Sequence, residues 1–131
     1  MKRSNIITLL LSALLFLYSV SIFSSEISST KELKQIMVFD QACIIMHEEG
    51  RKYLNNKEKI THSYGAAALI EKRLEQRLHN YTQTTGDAMP EVREMVLENG
   101  VTLFKELSQY QPRDLVSQCK ELVESIVQEN L

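Results

Sequence analysis

Leu33, Ile36, Phe39, Cys43 and Met46 recur at spacings of three and four, which is one face of a helix with 3.6 residues per turn. Val38, Ala42 and Ile45 widen that stripe, as suits a bundle helix touching two neighbours. Ser29-Thr30-Lys31-Glu32 reads as a capping box and starts the helix. Gly50 could end it, yet Tyr53 and Leu54 continue the period, so the stop is placed at Asn55-Asn56. A second helix opens between Asn56 and Thr61 and carries Ile60, Tyr64, Ala67, Ile70, Leu74, Leu78 and Tyr81 on one side. Its small run Gly65-Ala66-Ala67-Ala68 leaves room for another backbone to approach closely. Glu71, Lys72, Arg73, Glu75 and Arg77 read as its solvated outer face.

Thr82 to Asp87 has no periodicity and is rich in turn formers, so it reads as the clearest loop. Asp87 is a suitable N-cap, and Pro90 fits the first turn of a third helix carrying Val92, Val96, Leu103, Leu107 and Tyr110. Asn99-Gly100 predicts a kink or a break within it, and Gln111-Pro112 ends it. Leu115, Cys119, Leu122 and Ile126 then form the most regular stripe of the chain, in a fourth helix running from Pro112 to about Gln128. Four amphipathic helices with short connections and almost no strand signal predict an all-α, four-helix up-down bundle. In that topology the first and last helices are adjacent and antiparallel.

The segment before the first helix changes the picture of compartment. Lys2 and Arg3 precede the apolar run Ile6 to Tyr18, and small residues follow at Ser19, Ser21, Ser24 and Ser25. This is the layout of a cleaved signal peptide over residues 1–25, with cleavage after Ser21, Ser24 or Ser25, leaving residues 26–131 as a single helical domain. The competing reading is a retained anchor, although Ile6 to Phe23 is shorter than the ~20 residues a spanning helix needs. No cysteine stands where a lipoprotein signal requires one, so the expected location is the periplasm, with no membrane attachment after cleavage.

Export makes the two cysteines a disulfide, Cys43 to Cys119, because the compartment is oxidising. The alternative is two buried thiols. The formal net charge of −2 becomes −4 once Lys2 and Arg3 leave with the leader. An acidic chain argues against nucleic acid, whose binders cluster positive charge, and is compatible with a cationic protein partner.

The sequence offers little catalytic chemistry. His47-Glu48 opens the zinc-protease helix motif, but Arg51 stands where its second histidine belongs. His62 and His79 share no ligand pattern, and covalent haem attachment lacks its Cys-x-x-Cys-His run. Haem held between a Met and a His is disfavoured, since Pro112 to Gln128 contains neither. There is no Gly-x-Ser-x-Gly, and paired glycosidase carboxylates would need a cleft between domains. No cofactor or metal is therefore expected, and the expectation is a binding protein rather than an enzyme. Asn80-Tyr81-Thr82 matches a glycosylation acceptor, which matters only in a eukaryotic source.

A short exported chain with Lys2-Arg3, a signal segment, no lipid-attachment cysteine, helical patterning throughout and the single long-range pair Cys43 and Cys119 resembles the small periplasmic immunity proteins of type VI secretion systems. More narrowly, it resembles those directed against a lysozyme-like, peptidoglycan-cleaving effector. The resemblance implies tight binding to one cognate toxin, occlusion of its catalytic cleft and, in many members, a homodimer. An inserted loop with polar and aromatic anchors is then expected at Tyr81, Gln83, Thr84, Asp87, Met89 and Glu91. The alternative is a periplasmic chaperone or pilotin-like adaptor that grips a peptide helix with Met37, Met46, Met89 and Met95.

Overall fold

The computed structural model describes residues 30–129. The expected leader, the expected capping residue Ser29 and the two C-terminal residues lie outside them. Four helices follow one another: α1 Thr30–Arg51, α2 Lys57–Thr85, α3 Met89–Tyr110 and α4 Pro112–Glu129, with no strand among the described residues. This is the all-α up-down bundle that the apolar periods predict. No helix among the described residues is long and apolar enough to cross a membrane.

Local chemistry explains the boundaries. Gly50 lies inside α1, which ends at Arg51 by tightening into i to i+3 bonds: the N–H groups of Lys52, Tyr53 and Leu54 donate to the carbonyls of Glu49, Gly50 and Arg51. Tyr53 therefore falls off the helical period and stands in solvent, 85% exposed. Asn56 caps α2, its side-chain oxygen accepting from the Lys59 N–H at 3.0 Å. Gln111 caps α3, and α4 follows at once with Pro112 in its first turn, as the sequence predicts.

Direction and neighbours follow from pairs of residues. Asp40 meets Arg77 and His47 meets Ser63, so α1 and α2 run antiparallel. Glu75 pairs with Arg93, which brings α3 back along α2. Cys43 and Cys119 join α1 to α4 in a disulfide, with their Cα atoms 5.5 Å apart. Packing from Lys34 onward forms a single compact unit.

The buried side of α1 differs from the predicted stripe. Met37, Asp40, Ala42, Cys43 and Ile44 are buried, whereas Leu33, Ile36, Phe39 and Met46 are only half-buried. The reason is that α1 has three neighbours rather than two. Asp40 faces α2, Gln41 faces α3 and Cys43 faces α4, so almost the whole circumference of this turn is covered. The core is completed by Ile70, Leu74 and Leu78 of α2, Val92 and Val96 of α3, and Leu115 and Ile126 of α4.

Gly100 corrects the expected break in α3. Helix α3 runs through Asn99-Gly100 without a break, and Gly100 is buried. A Cβ added there would lie 2.5 Å from Gln41 Cγ, 2.7 Å from Gln41 Cβ and 3.4 Å from the Val38 carbonyl oxygen. The missing side chain thus serves the close approach of α1 and α3. The sequence places such an approach over the run Gly65 to Ala68, where Ala66 and Ala67 are buried but a Cβ added at Gly65 would have nothing within 4 Å. The two glycines should respond oppositely in urea unfolding. Gly100→Ala is expected to lower stability by about 1–3 kcal/mol through overpacking, and Gly65→Ala to raise it by up to about 1 kcal/mol through helix propensity.

The outer charge run of α2 is also more than a solvated face. Arg77 turns inward to Asp40, its Nη1 lying 3.1 and 2.9 Å from the two carboxylate oxygens, and the Asp40 side chain is 1% exposed. Arg73 pairs with Glu129 of α4, and Glu75 with Arg93 of α3. Glu71, Lys72 and Glu75 stand exposed as the sequence predicts, whereas Arg73 and Arg77 are half-buried.

Candidate partner-binding surface

The expected recognition loop is shorter and more rigid than its composition suggests. Helix α2 continues through Thr82, Gln83, Thr84 and Thr85 because the threonines bond back to the backbone. Thr82 Oγ1 donates to the Leu78 and His79 carbonyls and Thr85 Oγ1 to that of Tyr81. Gly86, at φ 81°, closes the helix in the left-handed region with its N–H on the Thr82 carbonyl. The connection is reduced to Gly86, Asp87 and Ala88. Asp87 is not the N-cap of α3; that place belongs to Ala88, which has no capping side chain, while the Asp87 N–H donates to Thr85 Oγ1 at 3.1 Å.

Of the six expected contact residues, Gln83, Thr84, Asp87 and Glu91 are exposed, Met89 is half-buried, and Tyr81 is buried in the core. Tyr81 is therefore a packing residue and offers no anchor to a partner. What remains is a polar, acidic corner, to which the exposed Glu94 of α3 adds one further carboxylate. Glu91 sits in the first turn of α3, where the helix dipole favours negative charge.

The exposed aromatics stand at the opposite end of the bundle. Tyr53 follows α1, Tyr64 lies two turns into α2, and Tyr110 closes α3; they are 85%, 59% and 72% exposed. Tyr64 is held in place, because the Arg51 guanidinium lies 3.8 Å over its ring. Arg51 in turn donates to Ser63 Oγ at 3.3 Å, and Ser63 Oγ stands 3.0 Å from His47 Nδ1. Burial, together with the Arg51 and His62 charges, holds His47 below its ordinary pKa and favours the neutral ring, whose Nδ1 shares a hydrogen bond with the Ser63 hydroxyl. His47 is thereby committed to Ser63, and among the described residues no three His, Cys, Asp or Glu side chains converge as metal ligands. The aromatic signal was present in the sequence as tyrosines beside turn residues, Tyr53 before Asn55-Asn56 and Tyr110 before Gln111-Pro112.

A cleft of ≈ 660 Å³ runs between α1, α2 and α3, floored by Ile44, Leu74, Leu78 and Val96. Its rim carries Glu48, Glu71 and the Glu75–Arg93 pair. Arg93 Nη2 donates to Glu75 Oε1 at 2.7 Å, and these bonds hold the carboxyl below and the guanidinium above their ordinary values. The pair bridges the cleft wall. Comparison with protein-family models, curated proteins and solved structures finds no match to this chain, so its function has to be read from its own geometry and charge.

Proposed function

We propose that this chain is an exported immunity protein that binds a cognate peptidoglycan hydrolase and occludes its active site with the α2–α3 corner. The observation that carries the reading is the corner itself. Gln83, Thr84, Asp87 and Glu91 are exposed around a three-residue connection between two long helices, with Gly86 and both threonines fixing its backbone. A rigid element loses little entropy on insertion into a cleft. Its carboxylates suit the cationic surfaces typical of enzymes that act on an anionic wall, and would steer association. Covalent joining of α1 to α4 supports the same reading, since it suits an oxidising compartment.

The chaperone alternative loses support at the methionines. Met37 is fully buried, and Met46, Met89 and Met95 are half-buried, so they do not form an adaptable exposed surface. The test is inhibition of the hydrolase encoded beside this chain, measured on purified peptidoglycan. Stoichiometric addition is expected to abolish cleavage. Asp87→Lys with Glu91→Lys is expected to weaken the complex about 100-fold with an unchanged far-UV spectrum. An unchanged affinity in that double variant would exclude the corner, and undiminished hydrolysis with the native chain would exclude the function.

A further inference from the structure

The outer side of α4 lines a second cavity, separate from the cleft of α1, α2 and α3. It is a groove of ≈ 600 Å³, walled by Val116, Val123 and Val127 of α4, Met46 of α1 and Ala66 of α2. Small-molecule sites usually occupy about 300–1,000 Å³. Val116 is 55% and Val127 44% exposed, although both are aliphatic residues on a well-packed helix. The ionisable part of the lining is unbalanced: His47, His62 and Lys120 stand against a single carboxylate, Glu124. Lys120 is exposed and enters none of the ion pairs among the described residues. Arg51, one turn beyond His47, adds a positive charge behind Ser63. In a chain of formal net charge −2 this basic excess is local to the groove. Antiparallel packing orders the two kinds of group along it. Cys43 faces Cys119, so Val116 lies level with Met46, each three residues from the bridge. The histidines and Lys120 therefore flank the Val116 end, and the valine wall continues to Val127, about 16 Å further along the helix.

We propose that this groove binds a single-chain fatty-acid anion, its alkyl chain along the α4 valines and its carboxylate between Lys120 and His62. The distance from Val116 to Val127 matches an extended laurate chain. Covering the chain and the exposed valines together removes both from water, and each methylene fully covered strengthens binding by up to about fourfold. The Lys120 ammonium supplies the counter-charge, and an N–H of the His62 ring a hydrogen bond. A lysine stem can lie on the valine wall while its head reaches the carboxylate. The excess of basic over acidic lining groups selects an anion over a cationic amphiphile of the same length. This inference is independent of the inhibitory reading, because the groove is separate from the α2–α3 corner.

Isothermal titration of the full mature chain with laurate below its micelle concentration, together with methyl NMR, tests the site. Saturable binding of laurate in the micromolar range is expected, with shifts confined to the methyl signals around Val116, Val123 and Val127. Decanoate, two methylenes shorter, is expected to bind about tenfold more weakly. Dodecylammonium, which has the chain of laurate and the opposite charge, is expected to bind about tenfold more weakly as well. Lys120→Glu is expected to reverse that preference, weakening laurate about tenfold and strengthening dodecylammonium, a reversal that loss of fold does not produce. The absence of saturable laurate binding overturns the proposal, as do methyl shifts elsewhere in the bundle or a native chain that takes dodecylammonium as readily as laurate. A groove already covered by a second copy or by a partner's helix would exclude laurate and overturns it in the same way.

Discussion

Replacing Cys43 and Cys119 together by alanine is expected to lower the free energy of unfolding by about 4–5 kcal/mol, a large share of the ~5–15 kcal/mol that holds an ordinary domain folded. The bridge closes a loop across a sequence separation of 76 and so restricts nearly the whole unfolded helical chain. Both cysteines are fully buried at the level where α1 is also held by Asp40 and Gln41. Their loss therefore also removes packed volume at the centre, which adds to the entropic effect. Denaturant unfolding of the native and double-alanine proteins measures the difference. Non-reducing mass spectrometry of the exported protein should show a mass two hydrogens below the reduced form, and two free thiols there would remove the basis of the expectation.

Arg77→Met is expected to cost about 3–5 kcal/mol at pH 7.5, because it leaves the Asp40 carboxylate buried without its partner. The cost should shrink in acid. Burial pushes the Asp40 carboxyl up to about 6 from 3.8, against the lowering effect of the Arg77 charge and hydrogen bonds and of the Arg73 charge. Between those values the folded chain keeps a proton that the unfolded chain has released. The contribution is present in full below 3.8 and is lost as the pH rises through about 6. Without Arg77 the folded value rises further, so the penalty at pH 7.5 grows while that at pH 4.5, where the folded group is neutral, stays small. Asp40→Asn should show the reverse trend, costing about 2 kcal/mol less at pH 7.5 than at pH 4.5, since asparagine has no proton to lose. Urea midpoints of the three proteins at both pH values read these slopes directly. Parallel slopes for native and Asp40→Asn proteins would show that Asp40 does not titrate in this range.

The burial of Asp40 against Arg77 makes the pair part of the scaffold. They hold the mid-level of α1 and α2, beside the disulfide that holds α1 and α4. Other groups face solvent and are not needed inside the bundle. These are the acidic corner at one end, the tyrosines at the other and the outer stripe of α4.

The number of helices, their approximate limits and the Cys43–Cys119 pairing were determined by the sequence alone. Apolar spacing, Asn56, Gln111 and Pro112 are local signals that act within a turn or two of chain. The inward side of α1 was decided by tertiary structure, because a helical period shows that a stripe exists but not how many neighbours will cover it. Asp40 and Arg77 look like surface charges in sequence and become a buried pair only where two particular turns meet. Asn99-Gly100 looks like a helix end, and only the approach of Gln41 and Val38 gives the glycine its purpose. Tyr81 belongs to the same class. It sits beside apparent turn formers, but Thr82 and Thr85 carry α2 onward and turn the ring into the core, leaving Gln83, Thr84, Asp87 and Glu91 to face solvent. Local patterning thus settled which segments are helices, and packing between distant segments decided which faces are scaffold and which remain available to a partner.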